Sequence, residues 1–134
     1  MDKNNIRNSA ELFLYKAEVD FNTAKYLLDG FNDGKLEIDL EKIYFESQQC
    51  AEKLLKAILS TNDTAFPRTH DLEDIIELCR KNDIELIDNV DRLTDLTEYA
   101  VQGRYAIIHD DLEDADEYII LLEKLLSYAK QQIL

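Results

Sequence analysis

A chain of 134 residues, 46% hydrophobic and 33% charged, holds enough apolar mass for one sizeable core and too little for two, which excludes multi-domain enzymes. Three glycines and one proline are too few for the turns of a loop-rich all-β fold, a collagen-like repeat or a disordered tract. With 29 acidic against 15 basic residues, the net charge of −14 argues against generic coating of nucleic acid. Screening over roughly 8 Å still leaves room for a local basic pocket.

No apolar run approaches the roughly 20 residues of a membrane span. The opening stretch MDKNNIRNSAEL carries no hydrophobic signal region, so a cytoplasmic protein without a membrane partner is expected. Cys50 and Cys79 lie far apart in helix-like segments, which fits small buried apolar side chains better than a metal cluster or a disulfide scaffold.

The first helix is predicted to start with Ser9 as N-cap. It carries Ala10, Leu14, Ala17, Phe21, Ala24 and Leu28 on one stripe and ends before Gly30. Asp39 caps a second helix with Leu40, Tyr44, Ser47, Ala51, Leu54 and Ile58 on its inner face, stopping in the turn-rich STNDTAFPR. A shorter third helix begins near Thr69 to Asp71 and runs through Ile75, Leu78 and Cys79 to Asn82. From Asp83 to Gln102, Ile84, Ile87, Val90, Leu93, Leu96 and Ala100, at spacings of three and four, predict a further helical stretch that breaks or bends near Asp88 to Asp91 and is closed by Gly103. The last opens at Asp110 and Asp111, with Glu113 completing a capping box, and repeats Leu112, Ala115, Ile119, Leu122, Leu126, Ala129 and Ile133.

No segment alternates with period two and no hairpin turn joins β-branched runs. The expected fold is therefore all-α, an up-and-down bundle of four to five helices forming one domain over residues 1–134. Leu12, Phe13, Val19 and Leu27 on the first helix and Ile120, Leu121 and Leu125 on the last lie beside the main stripes. Such a surplus of apolar surface predicts a homodimer.

Two histidines bound any proton transfer near neutral pH. His70, in Arg-Thr-His-Asp-Leu, is expected to cap or fix the loop before the third helix. His109 ends the segment that begins Gly103-Arg104-Tyr105 between the last two long helices. Arg104 and His109 thus pair a guanidinium with an imidazole at one end of the bundle. Metal-free RNA cleavage needs a base for the 2′-hydroxyl, an acid for the leaving oxygen and a fixed cation for charge building on phosphorus. Arginine supplies the cation and histidine the proton chemistry, and two chains about a two-fold axis would supply two of each. Gln48, Gln49, Glu52, Lys53 and Lys56 share the second helix with its core stripe and are read as satisfying one another or a neighbouring loop; the alternative is that Lys53 or Lys56, with Arg68 and Arg104, forms the one basic lining that a nucleotide could enter. No Gly-rich phosphate loop, His-Glu-x-x-His or serine elbow is present. The acidic run Asp110, Asp111, Glu113 and Asp114 suits a helix N-terminus, so neither a metal nor another cofactor is expected.

The segment Phe45-Glu46-Ser47-Gln48-Gln49-Cys50-Ala51-Glu52-Lys53-Leu54-Leu55-Lys56-Ala57 resembles the Gln-Gln-x-Ala-Glu-Lys-x-x-Lys-Ala signature of the HEPN family. Ala17-Glu18-Val19-Asp20 with Ala24-Lys25 resembles the family's first helix, Thr69-His70-Asp71-Leu72 its Thr/Ser-His-Asp-Leu step, and Arg104-Tyr105 its Arg-Tyr pair. These motifs, in order, cover about residues 9–132. The resemblance implies a dimeric helical bundle, often paired with a minimal nucleotidyltransferase as toxin and antitoxin. In active members it implies a metal-independent ribonuclease using Arg-x(4–6)-His, matched here by Arg104 and His109, whereas other members only bind. Lys53, Lys56 and Arg68 by their charge, with Tyr105 of the Arg-Tyr pair, are the candidate contacts for RNA or nucleotide. One branch carries a modifiable tyrosine two residues after the histidine, where this chain has Asp111.

Overall fold

The computed structural model describes residues 2–100 and 115–134, and among these every regular element is helical. After a short 3-10 turn at Lys3–Asn5, the α-helices are α1 (Ser9–Asn32), α2 (Leu40–Thr61), α3 (Leu72–Lys81) and α4 (Ala115–Ile133). A 3-10 helix, Val90–Tyr99, lies between α3 and the start of α4.

The stripe read for α1 is the buried one: Ala10, Leu14, Ala17, Phe21, Ala24 and Leu28 all face the core. Its ends differ from expectation. Asn8, not Ser9, is the N-cap, accepting from the Glu11 N–H at 2.9 Å while its own amide donates to the Glu11 carboxylate at 3.1 Å. Ser9 instead meets the Ser60 hydroxyl of α2 at 2.7 Å. The helix also continues through Gly30 to Asn32. Gly30 is present for space rather than termination, because a Cβ there would lie 2.4 Å from Leu36 Cδ1. The turn itself falls to Gly34, whose φ of +70° suits a residue without Cβ.

Asp39 caps α2, as the sequence predicts, and Asp71, at the end of the expected start, caps α3, each accepting from the amide two residues on. The segment after α3 breaks at Asn89, where a break or bend is expected, but differs from the expected helix on either side. Residues 84–87 are non-helical, Asn89 is left-handed at φ 65°, and Val90–Tyr99 winds as a 3-10 helix. Its buried side chains, Val90, Leu93, Leu96 and Tyr99, recur every three residues, the period at which a 3-10 helix stacks side chains in one row. The predicted opening of the last helix at Asp110 and Asp111, and the closing Gly103, lie outside the described residues.

One hydrophobic cluster runs through all these helices. The α1–α2 pair is the most extensive contact, α4 packs on both, and α3 and the 3-10 helix pack on each other and on α2. Tyr44, fully buried on α2, stacks on Tyr99 with ring centroids 5.1 Å apart and meets Tyr118 edge-on at 5.9 Å, which fixes the 3-10 helix and α4 to the same turn of α2. The surplus apolar surface is smaller than the sequence suggested. Leu121 and Leu125 are buried and Phe13 and Leu27 partly so, leaving Leu12, Val19 and Ile120 exposed. No helix among the described residues is long and apolar enough to cross a membrane.

Candidate functional site

α2 carries a second, polar row beside its apolar stripe. Gln48, Glu52 and Lys56 follow one another at intervals of four, on one face of the helix, and all three are buried. A buried carboxylate survives only if its oxygens are paired and hydrogen-bonded. Glu52 meets that demand with three donors. Lys56 Nζ lies 2.9 Å from Oε2, and Gln48 Nε2 and His70 Nδ1 lie 3.1 and 2.8 Å from Oε1. Burial pushes the Glu52 carboxyl upward, but the hydrogen bonds from Lys56, His70 and Gln48, with the Lys56 charge, outweigh it and hold the group below the usual glutamate range.

The same network ties down the connector between α2 and α3. Gln48 Nε2 also donates to the His70 backbone carbonyl at 3.2 Å, and Gln49 Nε2 donates to Gln48 Oε1 at 2.7 Å. The Lys56 ammonium sits 5.8 Å from the centre of the Phe66 ring, which packs edge-on against Phe13 of α1. Beyond His70, Thr69 Oγ1 accepts from the Asp71 N–H, and the Leu72 N–H donates to Thr97 Oγ1 on the 3-10 helix at 3.2 Å.

The predicted site residues fall into three groups. Lys56 belongs to the Glu52 network. Lys53, one turn earlier, points to α1 and lies 2.5 Å from Asp20 Oδ2, so the two lysines serve different helix contacts. Arg68 is exposed on the connector, without an ion pair among the described residues. Arg104, Tyr105 and His109 lie outside the described residues. His70, read from the sequence as a loop-fixing residue, does fix the loop, but through its ring as well as its backbone. Reasoning from sequence missed its contact with Glu52, since eighteen positions separate them. The only signal was that both lie in motif-like segments, Gln48–Lys56 and Thr69–Leu72.

Away from this network, Asn89, Arg92, Glu117, Tyr118, Ile120, Leu121 and Lys124 line an open groove of about 160 Å³ beside α4, which contains none of the predicted site residues. Among the described residues no three His, Cys, Asp or Glu side chains converge as a metal site requires.

The described residues form a helical bundle whose second helix buries a Gln-Glu-Lys row against a Thr-His-Asp-Leu connector, a small all-α domain. The HEPN domain profile matches residues 10–132, nearly the whole chain, and the chain belongs to the HEPN family. Its fold is similar to the crystal structure of ST0689, an archaeal HEPN homologue. The two share 24% identity at a TM-score of 0.64, covering 96% of this chain and 100% of the other. Among curated proteins none matches the chain.

Proposed function

We propose that this HEPN protein is a metal-independent RNA endonuclease, toxin-like, acting in the cytoplasm as a homodimer alongside a nucleotidyltransferase partner. The observation that carries the reading is the Arg104-x-x-x-x-His109 spacing inside the matched family domain. In this reading His109 moves the protons of 2′-hydroxyl attack and leaving-group departure. Arg104 stabilises charge on phosphorus, and the product ends in a 2′,3′-cyclic phosphate. Two chains supply the base and the acid that one His109 cannot supply at once. Leu12, Val19 and Ile120, exposed in the single chain, support a surface for self-association. Lys53, Lys56, Arg68 and Tyr105 remain proposed contacts for RNA or nucleotide.

The test is cleavage of RNA by the purified protein in chelator, with cyclic-phosphate ends as the readout. Arg104→Ala and His109→Ala are each expected to slow it at least about a hundredfold. Cleavage unaffected by His109→Ala would remove the proposed site.

A second reading, a non-catalytic adaptor of a nucleotidyltransferase, is favoured by one observation. Lys53 and Lys56 are already paired with Asp20 and Glu52 in a chain of charge −14, which leaves little positive field for RNA. Absence of cleavage by the unaltered protein, with stable binding to the partner, supports this alternative.

A further inference from the structure

His70 is more than a loop anchor. Its backbone carbonyl accepts from Gln48, and its ring meets the same carboxylate that pairs with Lys56. The ring adds a third donor to Glu52 and a second tie to the loop, yet most of it stays open to solvent: Nδ1 lies 2.8 Å from a carboxylate only 8% exposed, while the imidazole itself is 67% exposed. An ionised carboxylate can only accept, so Nδ1 carries the hydrogen and the neutral ring presents its lone pair on Nε2. A carboxylate fixing an imidazole tautomer in this way is the arrangement that prepares histidine for proton transfer in hydrolytic triads. Arg68, two residues upstream and exposed without an ion pair among the described residues, adds a guanidinium suited to phosphate.

We propose that Glu52 and His70 form a functional dyad in which His70 Nε2 accepts the hydrogen of a ribose hydroxyl on a phosphate-bearing ligand, with Arg68 contacting the phosphate. The ligand class rests on the nucleotide-directed reading above, while the dyad stands on its own geometry. AMP and a short ribo-oligonucleotide are the probes, because both place a hydroxyl beside a phosphate and their responses separate a mononucleotide from a polymer.

The experiment follows the His70 ring nitrogens by ¹⁵N NMR during titration of the full chain with each probe. The expected spectrum has a hydrogen on Nδ1 and none on Nε2 in the neutral ring, and at least one probe shifts the Nε2 signal. His70→Asn keeps an amide donor toward Glu52 but deletes Nε2. It is expected to leave the thermal midpoint within a few degrees of the parent while weakening binding of the responding probe about tenfold, as does Arg68→Ala. A hydrogen on Nε2, no response to either probe, or undiminished binding by folded His70→Asn would overturn the dyad. If His70→Asn fails to fold, the tautomer and the Nε2 shift in the unaltered protein decide the matter. A His70 shift without RNA cleavage retains the dyad and discards the ribonuclease. Cleavage that leaves the His70 signals unmoved does the reverse.

Discussion

Lys53 Nζ lies 2.5 Å from Asp20 Oδ2, so a lysine of the family motif serves as a cross-link between α2 and α1. Both side chains are mostly buried, at 25% and 16% exposure, which puts the pair between a solvent-screened ion pair and a fully desolvated one. Lys53→Met should therefore cost about 1–2 kcal/mol in urea unfolding, chiefly by leaving Asp20 without its partner. Adding Asp20→Asn should restore part of that loss. A purely nucleotide-contacting Lys53 would instead leave unfolding unchanged in the ligand-free protein.

The Glu52 network makes stability depend on acid. Its carboxyl titrates lower in the folded chain than the ordinary value of 4.5, because the donors from Lys56, His70 and Gln48 overcome the effect of burial. In acid the unfolded chain therefore binds the proton first, and stability rises with pH. The contribution is complete above the unfolded value and is lost as pH falls through the folded one. Urea midpoints measured from pH 7 down to pH 3 should fall less steeply for Glu52→Gln than for the parent. The variant should already be less stable at pH 7. Equal slopes would mean that the network does not hold the carboxylate.

Gly30→Ala tests why α1 runs past its glycine. Helix propensity alone predicts a gain of about 1 kcal/mol. The new methyl, however, would fall 2.4 Å from Leu36 Cδ1 and 2.7 Å from its Cγ, displacing the side chain that folds the α1–α2 loop back onto the helix. The expected result is a net loss of about 1 kcal/mol in chemical denaturation, with the denaturant slope unchanged. Truncating Leu36 to Ala in the same chain should recover the helix-forming benefit.

Both thiols should be inert while the chain is folded. Burial pushes the Cys79 thiol up to about 11 and that of Cys50 well above the ordinary value, and only a thiolate attacks a disulfide reagent. Labelling with a dithiobenzoate reagent at pH 8 is expected to run at least about a hundredfold slower than in denaturant. Rapid labelling of either residue in the native protein would contradict its buried position.

How far the sequence could be read depended on which interactions were local. The α1 stripe from Ala10 to Leu28 and the Asp39 cap involve residues within a turn or two of one another, and pattern alone places them. The stop of α1 was misplaced because Gly30 answers to Leu36, a contact across a loop that composition does not reveal. The 3-10 helix was legible in principle. Val90, Leu93, Leu96 and Tyr99 keep a strict spacing of three, where an α-helix would alternate three with four. At the candidate site, the lysines were visible as cations, but their carboxylate partners were not. Asp20 lies on another helix, and although the polar row of α2 could be read as satisfying itself or a nearby loop, which partner Glu52 takes from the connector depends on the fold.

The 3-10 winding of Val90–Tyr99 sets unusual rules for length variation in this domain. Each added residue there turns everything downstream by about 120°, so a single insertion would swing Leu96 and Tyr99 off α2 and unstack Tyr99 from Tyr44. Removing a whole triplet would leave the apolar row in phase and merely draw the following segment about 6 Å closer. Evolutionary or engineered indels in this stretch should therefore be tolerated in threes, a codon-like quantum imposed by helix pitch.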